Sequence, residues 1–451
     1  MHKFVFPLLC ISALICLPLS GCVTAPTEPP PPADTPQPAE APEPTETSMP
    51  AEAPEEGLPD LTGETIVFYG MGDMSGPYAS ILASVLMGAQ DMVAHINETG
   101  GIYGATIELK LEDTGGNVDE AVAIYDRYTG QDDNILMMLL YSSLDEQALR
   151  DRIKADQIPT IGSAPDAEAL YGAEDGWLFA VMALYPDQLA HFLDYVVANW
   201  DQIKPEGAGD EIKLAYVSWP TAYGQAALTD ETKAYMEQLG VELVASETYD
   251  VSPQADTTTA ILNAQAAGAN LIWDNTLGFG IANLLNDLTE LDMRDQFVVG
   301  TNMLGMDIAT YAFLADPANA YGLYAAFPFG WYSDTDNPGA QTAVEILDKY
   351  ERDERQRAIG RLIAQSSIDV AKHAIEHAIL EVGYENLTGQ AIHDALTQIE
   401  DYQVMDGLTM VDYTDGMRAG QQLQIRQVQG GPDKFVILSD FDEAPDMRPA
   451  P

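Results

Sequence analysis

Cysteine is nearly missing from this chain: the only three, Cys10, Cys16 and Cys22, stand within the first 22 of 451 residues. If residues 1–21 leave as a signal, one thiol remains, so neither an internal disulfide nor a Cys-ligated structural zinc can form. The remainder must be held by an ordinary hydrophobic core, for which 46% hydrophobic residues supply the material. Basic residues are the second scarcity, 20 Lys and Arg against 71 Asp and Glu, for a formal charge of −51. That balance excludes nucleic acid and anionic membrane surfaces as partners. No D-x-[DN]-x-[DN]-G loop, G-x-S-x-G elbow, P-loop or strand-linked G-x-G-x-x-G occurs. Calcium loops, serine-type nucleophilic catalysis and nucleotide cradles therefore lack their usual frameworks. The acids are spread over the whole length, as on a solvated surface.

What is present begins at the N-terminus. His2 and Lys3 open a basic stretch, residues 4–19 are mostly apolar, and Leu19-Ser20-Gly21-Cys22 is a complete lipobox. The apolar run is short and holds Pro7 and Pro18, so residues 1–21 read as a cleaved lipoprotein signal with Cys22 as the lipidated residue. Residues 23–60 contain twelve prolines, nine acids and no Lys or Arg. Proline stiffens such a segment and like charges extend it, which predicts a disordered stalk over 22–60. The remaining 391 residues suit two domains.

From residue 65 the pattern alternates. Apolar β-rich runs at 65–69, 106–111, 135–141 and 159–161 are separated by helical periodicities at 85–96, 118–128 and 145–155. After a run near 177–181 the scheme restarts, with helices expected at 186–200, 225–239, 257–267 and 281–291 and strands at 213–218, 241–249, 270–273 and 296–299. Strand alternating with helix implies parallel sheets with right-handed crossovers. The tail, with helices at 342–350, 362–382 and 390–399 and strands at 422–428 and 434–438, lacks a third alternating set and is assigned to completing the first two.

Two motifs carry chemistry of their own. His373-Ala374-Ile375-Glu376-His377 matches the H-x-x-E-H pattern of some zinc peptidases. The apolar stripe of its helix puts these three side chains on the flank, and no third ligand is evident. Ser143-Leu144-Asp145-Glu146 reads as a capping box at a helix start, whose free N–H groups and positive dipole end suit a carboxylate.

At Gly72-Asp73-Met74-Ser75-Gly76-Pro77-Tyr78-Ala79 and at Ile96-Asn97-Glu98-Thr99-Gly100-Gly101-Ile102-Tyr103-Gly104, with Ile107 to Asp113 following, the chain resembles type I periplasmic binding proteins. The likeness is to the leucine/isoleucine/valine-binding group of ABC importers. It implies an α/β fold of two Rossmann-like lobes joined by three crossovers, 61–182 plus 328–420 and 183–327 plus 421–451, with ligand enclosed between them. It also implies that Ser142 and the 163–166 loop, including Ser163, Ala164 and Asp166, hold a ligand carboxylate, joined by the neighbouring Ser143. Tyr223 would supply an aromatic contact from the second lobe, with Thr276 nearby. Asn302 departs from the glutamate that pairs with a ligand ammonium in amino-acid-binding members, leaving Asp166 or Asp274 to compensate; Ile81 replaces a common aromatic wall.

The resemblance implies a monomeric, lipid-anchored solute-binding protein without cofactor, metal or catalytic residue. It would capture an amino acid, amide or related molecule for an ABC permease and ATPase. A sensing lipoprotein of the same fold and, remotely, a hydrolase using His373 and His377 are the alternatives.

Overall fold

A computed structural model describes residues 57–172 and 176–449. The expected signal, Cys22 and all but the last four residues of the 22–60 stalk lie outside these. The described residues belong to one compact unit, Glu55–Pro451.

The first sheet grows around β1 (Thr65–Gly72), in which Phe68, Tyr69 and Met71 are buried. Residues buried on both faces suit a central parallel strand covered by helices. β1 lies between β2 (Thr106–Asp113) and β3 (Met137–Leu140), and β4 (Thr160–Gly162) and β5 (Leu178–Ala180) extend the sheet in the order β2-β1-β3-β4-β5, every pair parallel. The register places Thr65 opposite Thr106 and Phe68 opposite Met137. The connecting helices are α1 (Ala79–Glu98), α2 (Val118–Thr129), α3 (Ser143–Asp156) and α4 (Ala167–Tyr171). Asn117 caps α2 by accepting the Asp119 N–H at 2.8 Å, and Asp119 and Glu120 complement its positive end.

The chain then runs through α5 (Tyr185–Ile203) into a second sheet. Its parallel part is β7-β6-β8-β9-β10, formed by β6 (Ile212–Ser218), β7 (Val241–Thr248), β8 (Leu271–Asp274), β9 (Val298–Thr301) and β10 (Leu323–Phe327). Between them come α6 (Ala222–Gln225), α7 (Asp230–Leu239), α8 (Thr258–Ala266) and α9 (Gly278–Glu290). The single helix expected at 225–239 is two, because Thr229 accepts the Thr232 N–H at 3.2 Å and starts α7 afresh.

The tail is divided between the two sheets. α10 (Pro338–Lys349), α11 (Ile359–Val382) and α12 (Gly389–Leu396) pack on the first, where α11 lies along α1. A hairpin absent from the sequence reading, β11 (Tyr402–Val404) with β12 (Thr409–Val411), follows. β13 (Gln422–Val428) returns to pair antiparallel with β10, and β14 (Phe435–Ile437) and β15 (Asp442–Glu443) pair with β13. The chain thus passes between the sheets three times, after β5, β10 and β12. The architecture is α/β with two Rossmann-like lobes, as expected. Parallel strands in such sheets aim their carboxyl ends at a common crevice.

Candidate functional site

Three strand ends of the first lobe shape one wall of a cleft. After β1, the Asp73 carboxylate accepts the N–H groups of Gly76 at 2.5 Å and Tyr78 at 2.8 Å, curling the loop so that Tyr78 and Ile81 face inward. After β3 come Tyr141 and Ser142. Ser142 is the N-cap of α3, yet its side chain makes no capping bond, and the first turn stays open. The expected capping box is corrected here: Ser143 lies inside the helix, and Glu146 turns away to accept the Ala164 N–H at 3.1 Å. It reaches that loop because residue 162 is glycine; a Cβ there would stand 2.5 Å from Glu146 Oε1. Glu146 therefore fastens the loop after β4 that carries Ser163 and Ala164.

The second lobe supplies the opposite wall from the ends of β6, β8 and β9. Thr221 caps α6 by accepting the Gly224 N–H at 3.0 Å, which sets Tyr223 into the cleft. Trp219 stacks on Phe279 with centroids 4.8 Å apart, behind Tyr223. Leu277 and Leu304 complete this side, and Tyr185, at the start of α5, meets Tyr223 edge-on at 5.2 Å.

Between the walls is a cavity of about 100 Å³. The first lobe lines it with Asp73, Tyr78, Ile81, Leu82, Val85, Tyr141, Ser142, Ser143, Leu144, Ser163, Ala164 and Ile363, and the second with Thr221, Tyr223, Leu277 and Leu304. Tyrosine and serine hydroxyls are set against aliphatic side chains, with no lysine or arginine. The Tyr141 hydroxyl and Ser163 Oγ are buried and have no hydrogen-bond partner. Buried polar groups are rarely left so, and these are two sites where a bound molecule would be held.

Of the residues singled out from sequence, Ser142, Ser143, Ser163, Ala164 and Tyr223 come together around the cavity. Asp166, Asp274, Thr276 and Asn302 do not line it. Asp166 caps α4 through the Ala169 N–H at 2.9 Å and accepts Gln147 Nε2 at 3.0 Å. Asp274 is fully buried; Tyr249 donates to it at 2.7 Å, and the Thr276 hydroxyl donates to it as well. Asn302, also fully buried, donates through Nδ2 to the Tyr223 hydroxyl at 3.0 Å and stands behind it. Sequence reasoning did not single out Asp73, Tyr78, Tyr141, Tyr185, Thr221, Leu277, Leu304 or Ile363. Asp73 and Tyr78 lay inside the quoted N-terminal motif, whereas Ile363 comes from a helix some 200 residues downstream of the serine loops and has no local signal.

Carboxyl groups crowd beneath the first wall. Burial, with a contribution from the Asp73 charge, pushes Asp145 up to about 7. Burial first and the Asp166 charge second hold Glu146 well above the usual carboxylate range. In the second lobe burial raises Asp274 to about 7, although the hydroxyls of Thr276 and Tyr249 oppose the shift.

The His373 and His377 rings lie 4.7 Å apart, but His373 stacks on Tyr402 at 3.9 Å and Glu376 pairs with Lys372 at 2.7 Å. Among the described residues no group of three or more His, Cys, Asp or Glu side chains is placed to hold a metal ion, and no helix is long and apolar enough to cross a membrane.

Comparison with known proteins agrees with this architecture. The Leu/Ile/Val-binding protein homolog 1 of Brucella melitensis is 22% identical over 248 residues, spanning 54% of this chain and 63% of that protein's length. The valine-bound branched-chain amino acid ABC transporter protein of Thermus thermophilus superimposes with a TM-score of 0.75 at 19% identity, covering 85% of this chain and 98% of the other. A fatty acid ABC transporter substrate-binding protein from Thermomonospora curvata gives 0.69 at 22% identity, covering 86% and 94%. A solute-binding protein from Rhodopseudomonas palustris BisB5, in complex with 3,4-dihydroxybenzoic acid, gives 0.69 at 14% identity, covering 85% and 98%. These similarities of structure establish the fold, and the sequence profile of the periplasmic binding proteins matches residues 70–432. Two open-ended sheets, one parallel and one mainly so, three crossings and that match over most of its length place the chain in the periplasmic binding protein family, a family of solute-binding proteins.

Proposed function

We propose that this protein is a monomeric, lipid-anchored solute-binding protein that closes its lobes, 61–182 plus 328–420 and 183–327 plus 421–451, over a small organic molecule. It would pass that molecule to an ABC permease and ATPase. The observation that carries the reading is a cavity furnished from both lobes, with the unpartnered hydroxyls of Tyr141 and Ser163 on one side and the Asn302-bonded hydroxyl of Tyr223 on the other. A ligand touching both walls binds the closed arrangement better than the open one, so binding and closure are linked. The open first turn of α3 beside Ser142 and Ser163 suits a ligand carboxylate, and the aliphatic lining suits an apolar side group. Amino acids, amides and related acids fit that description. No residue of the cleft is assigned a catalytic role.

The test is a thermal-shift screen of the purified protein against amino acids, amides, short carboxylates and sugars, followed by calorimetry. A ligand at a hundred times its dissociation constant stabilises by about 2.7 kcal/mol. Tyr223→Ala should weaken the best ligand at least tenfold while the free protein still folds; equal affinity would remove Tyr223 from the site. The anchor has its own check. Cys22→Ser should move the protein from the membrane fraction to the soluble fraction, and retention of the variant in the membrane would refute lipidation at Cys22.

A further inference from the structure

Resting on that reading of the cleft, the polarity of its second wall narrows the ligand. Asn302 Oδ1 accepts the backbone N–H groups of Leu304 at 2.7 Å and Gly305 at 3.3 Å, which fixes the amide so that Nδ2 faces the other way. Nδ2 donates to the Tyr223 hydroxyl at 3.0 Å and to Asn275 Oδ1 at 2.9 Å. Asn275 is fixed in turn, since its own Nδ2 donates to the Tyr223 carbonyl at 2.7 Å. A phenol oxygen offers two directions in the ring plane. Asn302 occupies one as a donor, so the Tyr223 hydrogen lies along the other. The second lobe thus presents an O–H donor to the cavity, and its counterpart on a ligand must be an acceptor.

An ammonium group needs the opposite. Asp166 is turned to the start of α4 and Asp274 to Tyr249 and Thr276, and neither lines the cavity; Asp73 does, but each of its oxygens already accepts an N–H group, from Gly76 and from Tyr78, which offsets its charge. The first wall also offers donors: the N–H groups of the open turn of α3, and the unpartnered Tyr141 and Ser163 hydroxyls, which can donate as well as accept. A ligand with acceptors toward both walls and an aliphatic body between them is met by a donor on each side. We infer that the cleft selects an aliphatic 2-oxo carboxylic acid over the corresponding amino acid, the carboxylate facing the first lobe and the oxo oxygen accepting from Tyr223.

Calorimetric titration of the purified full-length protein with 4-methyl-2-oxopentanoate and with leucine compares two molecules of one carbon skeleton. The oxo acid should bind at least tenfold more tightly. Tyr223→Phe keeps the ring packing and should cost the oxo acid about tenfold, the value of one hydrogen bond to a ligand acceptor. Asn302→Asp would accept the tyrosine hydrogen, turn a lone pair toward the cavity and narrow the preference. Leucine binding as tightly as the oxo acid, or more tightly, overturns the inference while leaving a solute-binding cleft in place. No heat from either compound also overturns it, and the broader screen then decides the binding function separately.

Discussion

Asp91, on α1 and 3% exposed, receives two arginines from far along the chain: Arg352 at 2.6 Å and the fully buried Arg361 of α11. Taking a guanidinium out of water is costly unless a carboxylate compensates it, so the pair has to be complete to be tolerated. Asp91→Ala would leave Arg361 buried without its counter-charge, and a loss of about 3–5 kcal/mol is expected in urea unfolding. Adding Arg361→Met should restore much of that stability, and a double variant as unstable as the single one would contradict this account. The same contrast explains the site residues. Ser142, Ser163 and Tyr223 were legible through the family resemblance, which assigns the ligand to loops at strand ends. The side-chain directions of Asp166 and Asp274 were not, because Gln147 and Tyr249, distant in sequence, decide them.

At the scale of elements, the alternation of β-rich runs with helical periodicity placed the first sheet and most of the second, but not β10 (Leu323–Phe327), where no strand was expected. Errors arose where a short signal was outvoted. β11 and β12 have three residues each, too few for alternation to register, although Asp406-Gly407 between them is a turn dipeptide and both residues take positive φ, 59° and 95°. Which helices would touch was not legible at all. α1 and α11 approach closely because residue 88 is glycine: a Cβ there would stand 2.7 Å from the Arg361 Cα and 2.8 Å from its carbonyl oxygen. Backbone cannot yield as a flexible side chain does, so even Gly88→Ala must push the helices apart. A cost of about 1–3 kcal/mol is expected, as for other overpacked cores. The displacement would carry Ile363, two residues past Arg361, out of the cleft lining, so ligand affinity should fall together with the melting temperature. Destabilisation with unaltered affinity would show that the two helices do not set the position of the wall.

For the whole molecule the governing quantity is the negative charge, −51 over the chain, with several acids inside as well as outside. Beneath the cleft Glu146 is completely buried, accepts the Ala164 N–H, and faces Asp145 and Asp166 with no cation in contact. Its carboxyl is raised by burial from an ordinary value of 4.5, and burial raises Asp145 to about 7. The folded state therefore holds these protons more tightly than the unfolded state does. Their stabilising contribution is complete below the ordinary carboxylate range, near pH 4, and is lost as pH rises through the raised values. The protein should melt at a higher temperature at pH 5 than at pH 8. General repulsion among surface acids would give the same trend, so the two causes need separating. In 1 M salt the Debye length falls to about 3 Å and surface repulsion is screened, whereas the cost of ionising a buried group is not. Glu146→Gln removes the ionisation and keeps an oxygen for the Ala164 N–H. In high salt the wild-type slope should persist and the variant's should be flatter. Parallel slopes would trace the pH dependence to other groups and leave Glu146 only the task of fastening the serine loop.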